Sequence, residues 1–127
     1  MLELAQNPHT LAQGLNLFFA LIIGHALADY PLQGDFLALH KNRHYKDTQR
    51  ALPAGIWIHC LLAHSLIHAG FAWLISGRVV FAAVELLIHV VLDFLKCENI
   101  TGFHTDQVLH AATKALFVVA LVQGWVA

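Results

Sequence analysis

The chain has 127 residues, of which 58% are hydrophobic and 12% charged, with a formal net charge of −1; ordinary soluble domains run at roughly 45–50% and about 25%. So few charges could hardly coat a soluble globule, and no basic tract offers the electrostatic footprint of a nucleic-acid binder. The length suits one domain, and an all-α, polytopic membrane protein is the expected class, a soluble helical bundle with a very apolar core being the alternative.

The N-terminal stretch MLELAQNPHT lacks a basic region, so no cleavable signal peptide is expected. Four apolar segments follow, predicted as helices over about 11–30, 54–75, 79–95 and 105–126, and together they make a four-helix transmembrane bundle. Lengths of about 17–23 residues suit a hydrocarbon core of roughly 30 Å. The first segment stops before Pro31, and QGDFLALHK beyond it reads as a short interfacial helix. The second opens after Pro53, and ISGR allows only a tight hairpin between it and the third. Thr105 or Asp106 is the expected N-cap of the fourth. Cys60 and Cys97 form no C-x-x-C motif and imply neither a disulfide framework nor a cysteine-rich zinc site.

Lys41, Arg43, Lys46 and Arg50 lie in the first loop, whereas the hairpin holds only Arg78. The positive-inside rule then puts that loop in the cytoplasm and both termini outside. In this topology the polar residues of all four segments fall in one leaflet. His25 and Asp29 close segment one, and His89, Asp93 and Lys96 close segment three. Asp106, Gln107 and His110 open segment four, while His64 and His68 go deeper into segment two. His25–Asp29, His64–His68, His89–Asp93 and Asp106–His110 are i,i+4 pairs, each on one helix face.

Ionisable residues in a span face the bundle interior, because lipid solvates them poorly, and inward pairs of this kind build bundle-core metal sites. The expected metal ligands are His25, Asp29, His64, His68, His89, Asp93, Asp106 and His110. A hydrogen-bonded or proton-conducting network is the bland alternative. The nitrogen and oxygen donors favour zinc among divalent metals, in one or two ions. Glu85 and Lys114 lie deepest, and a contact between them is expected to floor the site. His59 rests on sequence logic alone, and His9, His40, His44 and His104 read as ordinary loop histidines.

The motifs GHALADYPLQ, HSLIH, HVVLDFLK and DQVLH, in that order, resemble a family of small bacterial and phage membrane proteins known as domain of unknown function 3307. The resemblance runs from about Leu11 to the C-terminus. It selects His25, Asp29, Gln33, His64, His68, His89, Asp93, Lys96, Asp106, Gln107 and His110, and it implies a membrane fold and a site but no reaction.

The leading functional expectation is a metal-dependent hydrolase of the bacterial inner membrane, acting on a lipid or lipid-linked phosphate or ester at the cytoplasmic leaflet. Metal-activated water would attack, with Asp29, Asp93, Lys96 and Gln107 as the catalytic candidates. Membrane lipids are the expected partners, nucleic acid is not, and homo-oligomers stay open. The alternatives are a small carrier of divalent cations or protons and a non-catalytic interaction protein. The chain has no G-x-S-x-G elbow, P-loop or H-E-x-x-H.

Overall fold

The computed structural model describes residues 8–126. They form five helices and no strand: α1 (Leu11–Asp29), α2 (Gly34–His40), α3 (Ile56–Ser76), α4 (Val79–Cys97) and α5 (Phe103–Val122).

Local chemistry sets the boundaries. Thr10 caps α1 by accepting from the Gln13 N–H at 3.2 Å, while Gln13 Oε1 accepts in return from the Thr10 N–H at 3.1 Å. This is a capping box, which satisfies two otherwise unbonded donors. Pro31 supplies no N–H to extend α1. The segment expected to be interfacial forms a helix, α2, which starts directly after its N-cap Gln33.

Gly55 (φ 79°) and Gly77 (φ 70°) bracket α3 in the left-handed region open to glycine. Gly55 therefore excludes residue 54 from the helix predicted to begin there, and Gly77 makes the tight hairpin into α4.

Helix α4 extends past the expected residue 95 to Cys97 and closes in a Schellman turn. Asn99 (φ 59°) donates to Lys96 O, and Ile100 donates to Leu95 O.

Two expectations for the last helix fail. Its N-cap is Gly102, not Thr105 or Asp106, because the Asp106 N–H is already bonded to Gly102 O within the first turn. The helix also stops at Val122 rather than 126. Gly124 donates to Leu121 O and Trp125 to Ala120 O, which satisfies the last carbonyls in another Schellman turn.

The four long helices run alternately up and down. Helices α1 and α4 each pack against α3 and α5 and lie diagonally opposite, while α2 packs on α3. Where α1 meets α3, a β-carbon on Gly24 would lie 2.8 Å from Ile75 Cδ1 and 3.1 Å from Phe71 Cβ. Gly24→Val is therefore expected to cost about 1–3 kcal/mol through overpacking. Thermal melting in detergent checks it, and an unchanged midpoint would contradict the close approach.

The bundle interior is divided along its length. The half beside the α3–α4 hairpin is apolar, filled by Leu17, Leu21, Ala72, Ile75, Phe81, Phe117 and Leu121. The Phe81 and Phe117 rings stack 4.5 Å apart. The other half buries His25, His64, His68, His89, Asp93, Asp106 and His110. Meanwhile Phe19, Leu66, Leu74, Leu87 and Leu116 stand exposed on the outer faces.

Three helices, α1, α3 and α5, are long and apolar enough to cross a membrane. The sequence reading expected four. Helix α4 drops out because Glu85, Asp93 and Lys96 all fall within its 19 residues. The bundle hides the two carboxylates completely.

Candidate metal centre

Four helices deliver the polar groups to one place. From α1 come His25 and Asp29, from α3 His64 and His68, from α4 Glu85, His89, Asp93 and Lys96, and from α5 Asp106, Gln107, His110 and Lys114. The i,i+4 spacing works as expected, since each pair puts both side chains on the inward stripe of its helix. The five imidazoles crowd together, with His68 and His89 stacked at 3.6 Å and His89 and His110 at 4.2 Å.

Three sets of ligating atoms lie within 4.8 Å of one another: Asp29, His64, His68 and His89; His25, Glu85, His89 and His110; and Asp93, Asp106 and His110. The first set has distinctive geometry. Asp29 Oδ1 lies 3.0 Å from His68 Nε2 and 3.4 Å from His64 Nε2. His64 Nε2 in turn lies 3.2 Å from His89 Nε2. A tetrahedral zinc site with bonds near 2.0–2.1 Å has ligand–ligand edges of about 3.3–3.4 Å; three of the six separations in this set fall near that value and the others lie within 4.8 Å.

The carboxylates differ in their partners. Asp93 holds two ammonium groups, with Lys96 Nζ at 2.7 Å from Oδ1 and Lys41 Nζ on Oδ2. Lys96 also bonds Asp106 at 2.8 Å, and Lys114 bonds Glu85. Asp29 has no lysine or arginine partner among the described residues. Its Oδ2 accepts from Gln107 Nε2 at 2.9 Å and lies 3.2 Å from His25 Nε2. With the imidazoles neutral, the cluster thus holds one carboxylate more than it holds ammonium groups, and the excess sits at Asp29. A half-buried carboxylate without an ammonium partner is incompletely compensated, so this position favours a cation.

Gln107 also places its Oε1 3.3 Å from His25 Nε2, so it positions both outer partners of Asp29. Gln33 acts similarly from the α2 side, donating to Asp29 O at 3.0 Å while its Oε1 accepts from Lys41. The expected Glu85–Lys114 contact is present as a direct ion pair, both residues being buried. Behind the ring of His89, Nδ1 lies 3.5 Å from Glu85 Oε1.

Some residues stand elsewhere than expected. His59 is exposed on α3 and does not join the cluster. His40 is not an ordinary loop histidine: it is buried, with Nδ1 2.8 Å from Phe36 O and Nε2 3.0 Å from Asp47 Oδ2. Sequence reasoning missed Lys41, which it counted only as a topogenic charge. Lys41 follows α2 directly, and no helical periodicity links it to Asp93.

Outside the helices, Arg43 clasps Glu98 through Nε and Nη2 at 2.7 and 2.8 Å, tying the first loop to the end of α4. This fork holds the Glu98 carboxyl below its ordinary range, and Glu98 raises the Arg43 guanidinium in return. Asp47 is likewise lowered, chiefly by the Gln49 N–H.

No curated protein and no solved structure matches the chain. Residues 17–126, which include every residue of the cluster, match the family described as protein of unknown function (DUF3307), and the chain belongs to that family.

Proposed function

We propose that this protein is a zinc-dependent membrane hydrolase, with one metal ion held by Asp29, His64, His68 and His89. The observation that carries this reading is the convergence of those four groups, three of their separations being 3.0–3.4 Å, around the one carboxylate of the cluster without an ammonium partner. One ion is favoured over two because Lys96 Nζ already bridges Asp93 and Asp106, where a second cation would bind.

All four long helices cross the membrane in this reading. Apolar side chains cover their outer faces while the charges of α4 point inward, the pattern that lipid imposes. In this reading the basic first loop is cytoplasmic, the polar end lies at the cytoplasmic leaflet of a bacterial inner membrane, and both termini are outside. A lipid or lipid-linked phosphate or ester reaches such a site by lateral diffusion.

A zinc ion held by these four residues would supply Lewis acidity and lower the pKa of a water only where that water enters as a fifth ligand or displaces one of the four. The protein's own groups supply the rest. His25, beside Asp29 but outside the four ligands, can accept a proton. Lys96, whose side chain is 23% exposed, lies at the rim and faces an anionic substrate group. Gln107 keeps Asp29 oriented. Ion or proton transport is the weaker reading, because the Phe81–Phe117 stack and its leucine neighbours fill the bundle beyond the cluster.

Elemental analysis of detergent-purified protein is expected to give about one zinc per chain, in keeping with a single four-ligand site. Phosphatase or esterase turnover on lipid substrates is expected to stop with a chelator and return with zinc. Metal-free protein that still turns over would overturn the mechanism.

A further inference from the structure

Beside the polar end of the bundle, the segment joining α2 to α3 folds around a cavity of about 300 Å³. Its wall includes Arg43, Lys46 and Arg50, and its base includes Leu52, Pro53 and Trp57 at the start of α3. Asp47 is a carboxylate in this lining, and both its oxygens are committed within the loop. Oδ2 pairs with the buried His40, and Oδ1 accepts the Gln49 and Arg50 N–H groups at 2.8 and 3.1 Å. Arg43 is held by Glu98.

The cationic character at the mouth comes from Lys46 and Arg50, which together outweigh the single Asp47 carboxylate beside Arg50. Lys46 is exposed and makes no ion pair among the described residues, and the Arg50 guanidinium lies 5.7 Å from the Phe36 ring. Further along α3 from Trp57, Ile58, Leu62 and Leu66 are exposed at i,i+4 spacing and make an apolar face on that helix.

We propose that this cavity binds the phosphate of an anionic phospholipid, with Lys46 and Arg50 on the headgroup, Trp57 beneath it and the acyl chains along the Ile58–Leu62–Leu66 face. A free phosphate carries the same charge but has no use for the apolar face, so the lipid is the favoured source. The inference rests on the membrane reading above and is independent of the metal. The cavity adjoins the metal centre through the chain itself: His40 lines it, and the next residue, Lys41, bonds Asp93. A lipid docked here stands at the rim of the site.

Native mass spectrometry of the full chain in neutral detergent tests the assignment, with phosphatidylglycerol, phosphatidylcholine and inorganic phosphate as probes. The wild type is expected to retain phosphatidylglycerol in preference to phosphatidylcholine. Lys46→Gln with Arg50→Gln is expected to weaken that retention roughly 30-fold, equivalent to about 1 kcal/mol for each cation removed. Lys46→Arg with Arg50→Lys is expected to keep it.

Equal retention of both lipids, or unchanged phosphatidylglycerol binding in the Gln variant, overturns the site. Inorganic phosphate that binds while phosphatidylglycerol does not overturns the lipid source. Zinc content is expected to be the same in all three proteins, and flotation with phosphatidylcholine vesicles after detergent removal reports membrane insertion separately. Failure of lipid binding is thereby distinguished from failure of the metal or membrane reading.

Discussion

Asp29→Asn is expected to empty the metal centre, lowering zinc affinity by more than about 100-fold, beyond the 10–100-fold that loss of an outer-shell partner costs. The substitution keeps the size of the side chain and can still accept from Gln107. It removes the one carboxylate charge in the cluster that no ammonium offsets. His64→Ala is expected to act as strongly. Gln107→Leu, which releases Asp29 without removing a ligand, should fall within the smaller range, and His59→Ala, on the exposed face of α3, should leave zinc unchanged. Competition titration against a chromophoric chelator measures all four. Full zinc affinity in Asp29→Asn would remove the basis for the site.

The largest effect on stability is expected at Glu85 and Lys114. Both are buried and paired where the polar half of the bundle meets the apolar half. Glu85→Leu or Lys114→Met alone leaves the partner's charge buried and unpaired, at a cost of roughly 3–5 kcal/mol, whereas replacing both with apolar groups is often neutral or stabilising. The double variant is therefore expected to be more stable than either single variant. Denaturant unfolding in mixed micelles completes the double-mutant cycle, and additive losses would mean that the pair contributes no coupling.

The polar end was legible in the sequence because helix periodicity is a strong constraint. Once His89 faces inward, Asp93 must as well, and so must Glu85 one turn before it. Spacing could not say which carboxylate would be neutralised by a lysine. That depends on Lys41, which arrives from outside any long helix and takes up Asp93, leaving Asp29 to the imidazoles. His40 was misread for a related reason: its partner Asp47 lies across an irregular loop. The start of α5 was misplaced because Thr105 and Asp106 resemble capping residues. Gly102 takes that role, and Asp106 turns its side chain toward Lys96 instead.

The reading of α4 as a fourth membrane span has a consequence for how the chain is made. The tight turn at Gly77 and Arg78 joins α4 to α3 so closely that the two can enter a bilayer only as a hairpin. His64 on α3 is then available to Asp93 at 3.3 Å as soon as the hairpin forms. Glu85 has as an early partner only the His89 ring of its own helix, whose Nδ1 lies 3.5 Å away. Lys114 lies 29 residues later in the chain and reaches Glu85 only after α5 has been synthesised. In that reading the last helix completes the charge balance of α4, because a chain that stops short of it leaves Glu85 without its ammonium partner inside a span, where lipid solvates charge poorly.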